Sequence, residues 1–105
     1  AAVTIENPKL AVRVGDEGYV RLRNDSDLRL VLEGEGASGE VVVPGKLVVA
    51  ANGTSLLPVR VPKKAAPGPR RLEIVFAVTN VRATPDAGLP FPVAIEVEVL
   101  PPAPQ

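Results

Sequence analysis

Two runs confine this chain more than any other feature. Leu72 to Val78 reads Leu-Glu-Ile-Val-Phe-Ala-Val, and Val93 to Val99 reads Val-Ala-Ile-Glu-Val-Glu-Val. Successive side chains of a strand point to opposite sides, so Leu72, Ile74, Phe76 and Val78 share one face, as do Val93, Ile95, Val97 and Val99. Each run is a wall of a hydrophobic core, and the two are expected to pair as antiparallel neighbours. Val75 and Ala77 make the outer face of the first run apolar, whereas Glu96 and Glu98 charge that of the second. That contrast marks the first as an inner, covered strand and the last as a guarded edge.

The same period of two governs the rest of the chain, and no stretch carries the 3.6-residue period of an amphipathic helix. Val3 and Ile5 alternate with polar residues until Asn7-Pro8 interrupts, and Leu10, Val12 and Val14 resume the alternation, which reads as an opening strand kinked or switched at a proline. Val20 and Leu22, the turn Asn24-Asp25-Ser26-Asp27, then Leu28, Leu30 and Leu32 read as a β-hairpin. Gly34 to Gly39 is a crossing loop, Val41–Val43 and Leu47–Val49 are short extended runs, and Asn52-Gly53 marks a tight turn before Leu57, Val59 and Val61. Pro58 and Pro62 demote that last run to an edge or bulged position, because proline cannot donate to a central ladder. Lys63 to Arg71 and Thr84 to Pro92 are loops, and Pro101 to Gln105 is a proline-rich tail with extended polyproline preference.

About seven strands with turn signals every ~8–12 residues describe an all-β, immunoglobulin-like antiparallel β-sandwich. One domain over residues 1–100 followed by the tail at 101–105 accounts for the whole length. The first residues, Ala1-Ala2-Val3, fit a cleaved signal peptide, a trimmed initiator methionine or an excised fragment equally well.

Composition removes whole classes of chemistry. Cysteine, methionine, histidine and tryptophan are absent, so there are no disulfides, no imidazole or sulfur metal ligands and no histidine base. Ser26, Ser38 and Ser55 have no histidine to activate them and no lysine in a Ser-x-x-Lys arrangement, which argues against an enzyme. Twelve basic and twelve acidic residues balance to zero formal charge, so no global field draws the chain to nucleic acid or anionic lipid. No apolar run approaches the ~20 residues that span a bilayer as a helix. Eight arginines to four lysines and a single glutamine suit a thermostable protein.

The remaining candidates are surfaces. Asp16, Glu17, Asp25 and Asp27 supply hard oxygen ligands for calcium, but no spacing motif joins them, and turn acids usually cap backbone amides. No cofactor or metal is expected. Lys63, Lys64, Arg70 and Arg71 bracket a Pro/Gly loop and offer a basic patch, although a solvated loop with gatekeeper charges is the plainer reading. Asn24-Asp25-Ser26 and Asn52-Gly53-Thr54 both fit the N-glycosylation triplet on expected exposed turns. Val31, Val42, Val48, Leu56, Val75 and Leu100 fall between inward-facing neighbours and should point outward, with Phe91 in a proline-rich loop. So many outward apolar side chains mean either that neighbouring subunits cover both faces or that the alternation slips at bulges. The partner-binding candidates are Val31, Leu56, Val75, Phe91, Leu100, Lys63, Lys64, Arg70 and Arg71.

The run of turns and alternation at Asn24–Asp27, Pro44–Val49, Asn52–Ser55, Val59–Pro62 and Pro67-Gly68 resembles that of several Ig-like families. These are the PapD-like N-terminal domain of pilus chaperones, the major sperm protein domain and the C-terminal domain of FixG-type proteins. The resemblance implies binding of protein partners through strands. Two function classes follow. One is a structural subunit or decoration protein of a virion shell, surface layer or extracellular filament, self-associating through a lattice. The other is an extracytoplasmic, chaperone-like accessory domain offering an edge strand, near Leu57–Val61 or Val93–Val99, to a client. Virion, extracellular or periplasmic placement fits both better than cytoplasm. Carbohydrate binding is weaker, since Tyr19, Phe76 and Phe91 are all the aromatic surface available.

Overall fold

A computed structural model describes residues 3–35, 41–79 and 91–104. They form two β-sheets packed face to face and no helix. The strands are β1 (Val3–Ile5), β2 (Lys9–Arg13), β3 (Glu17–Asn24), β4 (Leu30–Glu35), β5 (Lys46–Val49), β6 (Thr54–Arg60), β7 (Gly68–Val78) and β8 (Phe91–Leu100). One sheet has the order β1-β3-β6 and the other β2-β8-β7-β4-β5. The all-β, Ig-like sandwich expected from the alternation is what the chain forms, with β1 and β2 as the two parts of a single interrupted opening strand.

The interruption has a physical cause. Inward residues are odd-numbered in β1 (Val3, Ile5) and even-numbered in β2 (Leu10, Val12), so one continuous strand would put one of the two sets in water. Crossing to the opposite sheet reverses which side is inward and buries both sets. Asn7 and Pro8 make the crossing. The Asn7 side chain replaces the ladder that β1 leaves behind, with Nδ2 donating to Tyr19 O (3.0 Å) and Oδ1 accepting from Arg21 N (2.6 Å). β2 then runs parallel to β8, from Lys9 opposite Glu96 to Arg13 opposite Leu100.

β7 and β8 pair antiparallel from Gly68–Val99 to Phe76–Phe91, as the two opening runs require. Leu72, Ile74, Phe76, Ile95, Val97 and Val99 are buried against Val20, Leu22, Leu57 and Val59 of the facing sheet. Burial of such side chains contributes roughly 1.5–3 kcal/mol each before chain entropy is counted. β4 can approach β7 closely because Gly34 lacks a side chain; a Cβ there would lie 2.6 Å from Val75 O and 2.8 Å from Phe76 Cδ1.

Several expectations need correction. Val20–Leu22 and Leu28–Leu32 do not form a hairpin: β3 and β4 lie in different sheets, and Asn24–Asp27 carries the chain between them. Leu28 is accordingly in that crossing and 46% exposed rather than inward. β8 is not an edge, because β2 covers one side of its C-terminal half while β7 covers the other. Asn52-Gly53 turns the chain from β5 to β6 across sheets, with Asn52 at φ 51°. The proline-rich loop ends two residues earlier than expected, Phe91 and Pro92 already belonging to β8. β6 is an edge of its sheet, as Pro58 and Pro62 indicate, and beyond it Val42 makes an isolated bridge to Arg60.

Candidate protein-interaction surface

The outer face of the five-stranded sheet divides into two halves. Cross-strand rows at the β2 end carry charge: Lys9, Glu96 and Arg71 stand in one row, with Glu98 between Ala11 and Pro69 in the next. Lys9 Nζ lies 3.7 Å from Glu96 Oε2, and Arg71 Nη2 lies 3.6 Å from Glu73 Oε1, all well exposed and so of little energetic consequence. Towards β4 and β5 apolar side chains interleave with charged ones, Glu35 of β4 standing opposite Val75 and Lys46 of β5 opposite Glu33. Val75 stands opposite Pro92, Ala77 opposite Glu33, and Val31 opposite Val48. Val75 is 47% exposed and Val48 38% exposed, and a shallow depression of ≈ 430 Å³ beside Val75 is lined by Glu33, Gly34 and Gly45.

This half adjoins a stretch of β8 that, among the described residues, has no strand on one side. Glu96 N donates to Pro8 O (2.8 Å) and Leu100 O accepts from Val14 N (3.1 Å), so the even-numbered residues of β8 direct their backbone groups away from β7. Pro92 and Ala94 share that direction. β2 pairs with β8 only over Glu96–Leu100, and among the described residues no strand lies beside Pro92 and Ala94. Proline fits at position 92 because its missing N–H falls on the side that makes no ladder bond.

The outer face of the three-stranded sheet mixes apolar and charged groups. Tyr19, 47% exposed, stands opposite Pro58, and Leu56, 50% exposed, opposite Arg21. Arg21 and Arg23 reach Glu6 at 4.0 and 3.6 Å, and Arg23 Nε reaches Asp25 at 2.9 Å. The Tyr19 hydroxyl donates to Glu17 Oε2 (2.9 Å), and that bond and the carboxylate's charge hold the phenol above its ordinary pKa.

The expected partner-binding residues are scattered over the molecule. Val31 and Val75 share the half towards β4 and β5, Leu100 lies at the far end of the same sheet opposite Arg13, and Leu56 is on the other sheet. Phe91 has its backbone in β8 and its side chain lies outside the described residues. Lys63 and Lys64 are exposed in the turn before β7, and Arg70 and Arg71 point to opposite faces of that strand. Arg70 Nη2 donates to Ala66 O (2.8 Å).

Neither the calcium cluster nor the first glycosylation site survives as drawn. Asp16 and Asp25 flank opposite ends of the eight-residue β3, ~30 Å apart at the rise of a strand, and no described group of three or more acidic side chains gathers round a point. Asn24 is fully buried, its amide bonded on both sides, whereas Asn52 is exposed. Ser26 Oγ donates to Asn24 Oδ1 (2.7 Å) and Ser55 Oγ to Val48 O (2.7 Å), so neither hydroxyl faces a base, and Ser38 lies outside the described residues.

Comparison with known proteins agrees with this architecture. WR4, a C. elegans MSP family member, superimposes with a TM-score of 0.67 at 18% identity, covering 95% of this chain and 99% of its own. The E. coli chaperone DraB gives 0.67 at 15% identity, with 96% of this chain covered and 55% of DraB. The SafB chaperone, solved in complex with Salmonella enterica SafA pilin, gives 0.67 at 14% identity, again over 55% of the matched chain. The chain thus spans about half the length of these chaperones. No curated protein sequence matches it. A family model for Ig-like domains matches residues 3–93, and the chain belongs to that family, DUF5001.

Proposed function

We propose that this domain is a non-catalytic protein-binding module that takes an extended segment of another protein along the open stretch of β8. The observation that carries the reading is that, among the described residues, no strand pairs with the open side of Pro92 and Ala94, beside the outward Val75–Pro92 pair. An added strand gains main-chain hydrogen bonds from the first and a dry flank from the second. Val31 extends that flank towards β5, and Phe91 begins the strand that would receive the partner. The complex of SafB with a pilin supports a protein-binding use of this fold.

Ala94→Pro tests it. The substitution removes the N–H on the open side and leaves the β7 ladder intact, as Pro92 does two residues earlier. Extended peptides selected from a displayed library against the native domain should shift the Ala94 amide resonance. They should lose about tenfold or more in affinity for Ala94→Pro and for Val75→Asp, at unchanged melting temperature. Selected peptides that bind Ala94→Pro as well as the native domain sink the reading.

A second reading, a subunit of a self-associating shell or filament, is favoured by exposed apolar side chains on both outer faces: Tyr19 and Leu56 on one, Val48 and Val75 on the other. It expects mass above that of the 11.0 kDa chain at micromolar concentration in light scattering, reduced by Leu56→Lys. A monomer at every concentration counts against it.

A further inference from the structure

The turn that joins β5 to β6 contains a bond the fold cannot do without and water can alter. Asn52 holds φ at 51°, a left-handed conformation that asparagine and glycine adopt most readily. The next residue is glycine, and a Cβ at position 53 would crowd Ala50, at 3.2 Å from its Cβ and 3.3 Å from its O. The fold therefore selects Asn-Gly at an exposed turn, and of the four asparagines in the chain Asn52 is the one followed by glycine. With no side chain on the following residue, its backbone nitrogen has unhindered access to the asparagine amide carbon.

We infer that Asn52 is a deamidation and isomerisation site whose rate is held down by Asp27, and whose conversion releases the turn from the β3–β4 crossing loop. In the reaction Gly53 N bonds to Asn52 Cγ, the Cγ–Nδ2 bond breaks, and Nδ2 leaves as ammonia with the proton given up by Gly53 N. Water then opens the cyclic imide at either carbonyl. Opening at Cγ leaves aspartate, and opening at the backbone carbonyl leaves isoaspartate, with one extra methylene in the main chain.

The native contacts oppose the first step. Gly53 N donates to Ala50 O (3.1 Å), which occupies the nucleophile, and Asn52 Nδ2 donates to Asp27 Oδ1 (2.8 Å), which restrains the side-chain amide. The product is incompatible with those contacts. A carboxylate at position 52 meets the Asp27 carboxylate where a hydrogen bond stood. The isoaspartyl backbone displaces the two bonds that tie the turn to the β3–β4 crossing, Asn52 N to Ser26 O (2.9 Å) and Asn24 N to Gly53 O (2.8 Å).

Ageing the purified protein at mildly alkaline pH and mapping it by peptide mass spectrometry, with enzymatic methylation to count isoaspartate, tests the inference. Conversion should occur at Asn52, several-fold faster in Asp27→Ala than in the native chain and fastest in urea, where no contact protects it. Asp25→Ala loosens the same loop without touching Asn52 and should leave the rate close to native. Overturning outcomes are no conversion at residue 52 in urea, equal rates for Asp27→Ala and the native protein, or equal acceleration by Asp25→Ala and Asp27→Ala. The last would assign protection to loop order rather than to the Asp27 bond, and circular dichroism on each variant establishes that the folded state is being aged.

Discussion

Asn24→Ala is expected to lower the free energy of unfolding by about 3–5 kcal/mol, a large part of the 5–15 kcal/mol typical of a domain. Asn24 has no exposed surface and makes bonds on every side. Its Nδ2 donates to Leu28 O (2.7 Å), Ala50 O (3.1 Å) and Val49 O (3.3 Å), and its Oδ1 accepts from Ser26 N (2.9 Å) and Ser26 Oγ (2.7 Å). One amide thus ties the end of β3 to the loop that leaves it and to the end of β5 in the other sheet. Alanine strands those carbonyls in a site with little water, at ~1–3 kcal/mol for each group left unpaired and buried. For a chain of this size the melting temperature should fall by roughly 15–25 °C, measured by circular dichroism. Asn24→Asp should be almost as damaging, since a carboxylate cannot donate. A loss below ~1 kcal/mol for Asn24→Ala would show that water replaces the side chain.

Phe76→Ala should cost about 3–5 kcal/mol, from lost burial and the cavity left behind. Phe76 is fully buried near the C-terminal end of β7, where Gly34 allows β4 to close over its ring. Its neighbour Val75 is 47% exposed, and Val75→Thr should change stability by less than ~0.5 kcal/mol. Urea unfolding of the two variants reads the alternation of β7 directly. Similar losses for both would mean that the outer face is covered in solution.

Much of the fold was legible because the alternation is regular and one face of each strand is buried. The shift from odd to even inward positions between Ile5 and Leu10 encodes the sheet switch, and Pro58 encodes an edge. What alternation does not encode is which sheet a strand joins, since a strand in either one reads apolar on its inward face. The turn at Asn24–Asp27 therefore looked like a hairpin. The signal against it was Asn24 itself, which continues the inward series of Val20 and Leu22 and so had to be a buried amide with partners to find. Pro90-Phe91-Pro92 read as loop because two prolines flank the phenylalanine, yet Pro92 sits where no ladder bond is made. The charged face of Glu96 and Glu98 suggested an edge, whereas both lie inside the sheet, Glu96 in a row with Lys9 and Arg71 and Glu98 between Ala11 and Pro69. The candidate surface was less legible than the core, because it depends on where β2 stops pairing with β8, which follows from the switch rather than from any motif.

The parallel pairing of β2 with β8 also has a mechanical side. β2 is entered from the start of the chain and β8 leaves towards its end, so tension applied between the two ends runs along these strands in opposite directions. The five register pairs from Lys9–Glu96 to Arg13–Leu100 are then loaded together in shear instead of opening one after another like a zip. A domain threaded in series with others would yield only when that whole ladder gave way.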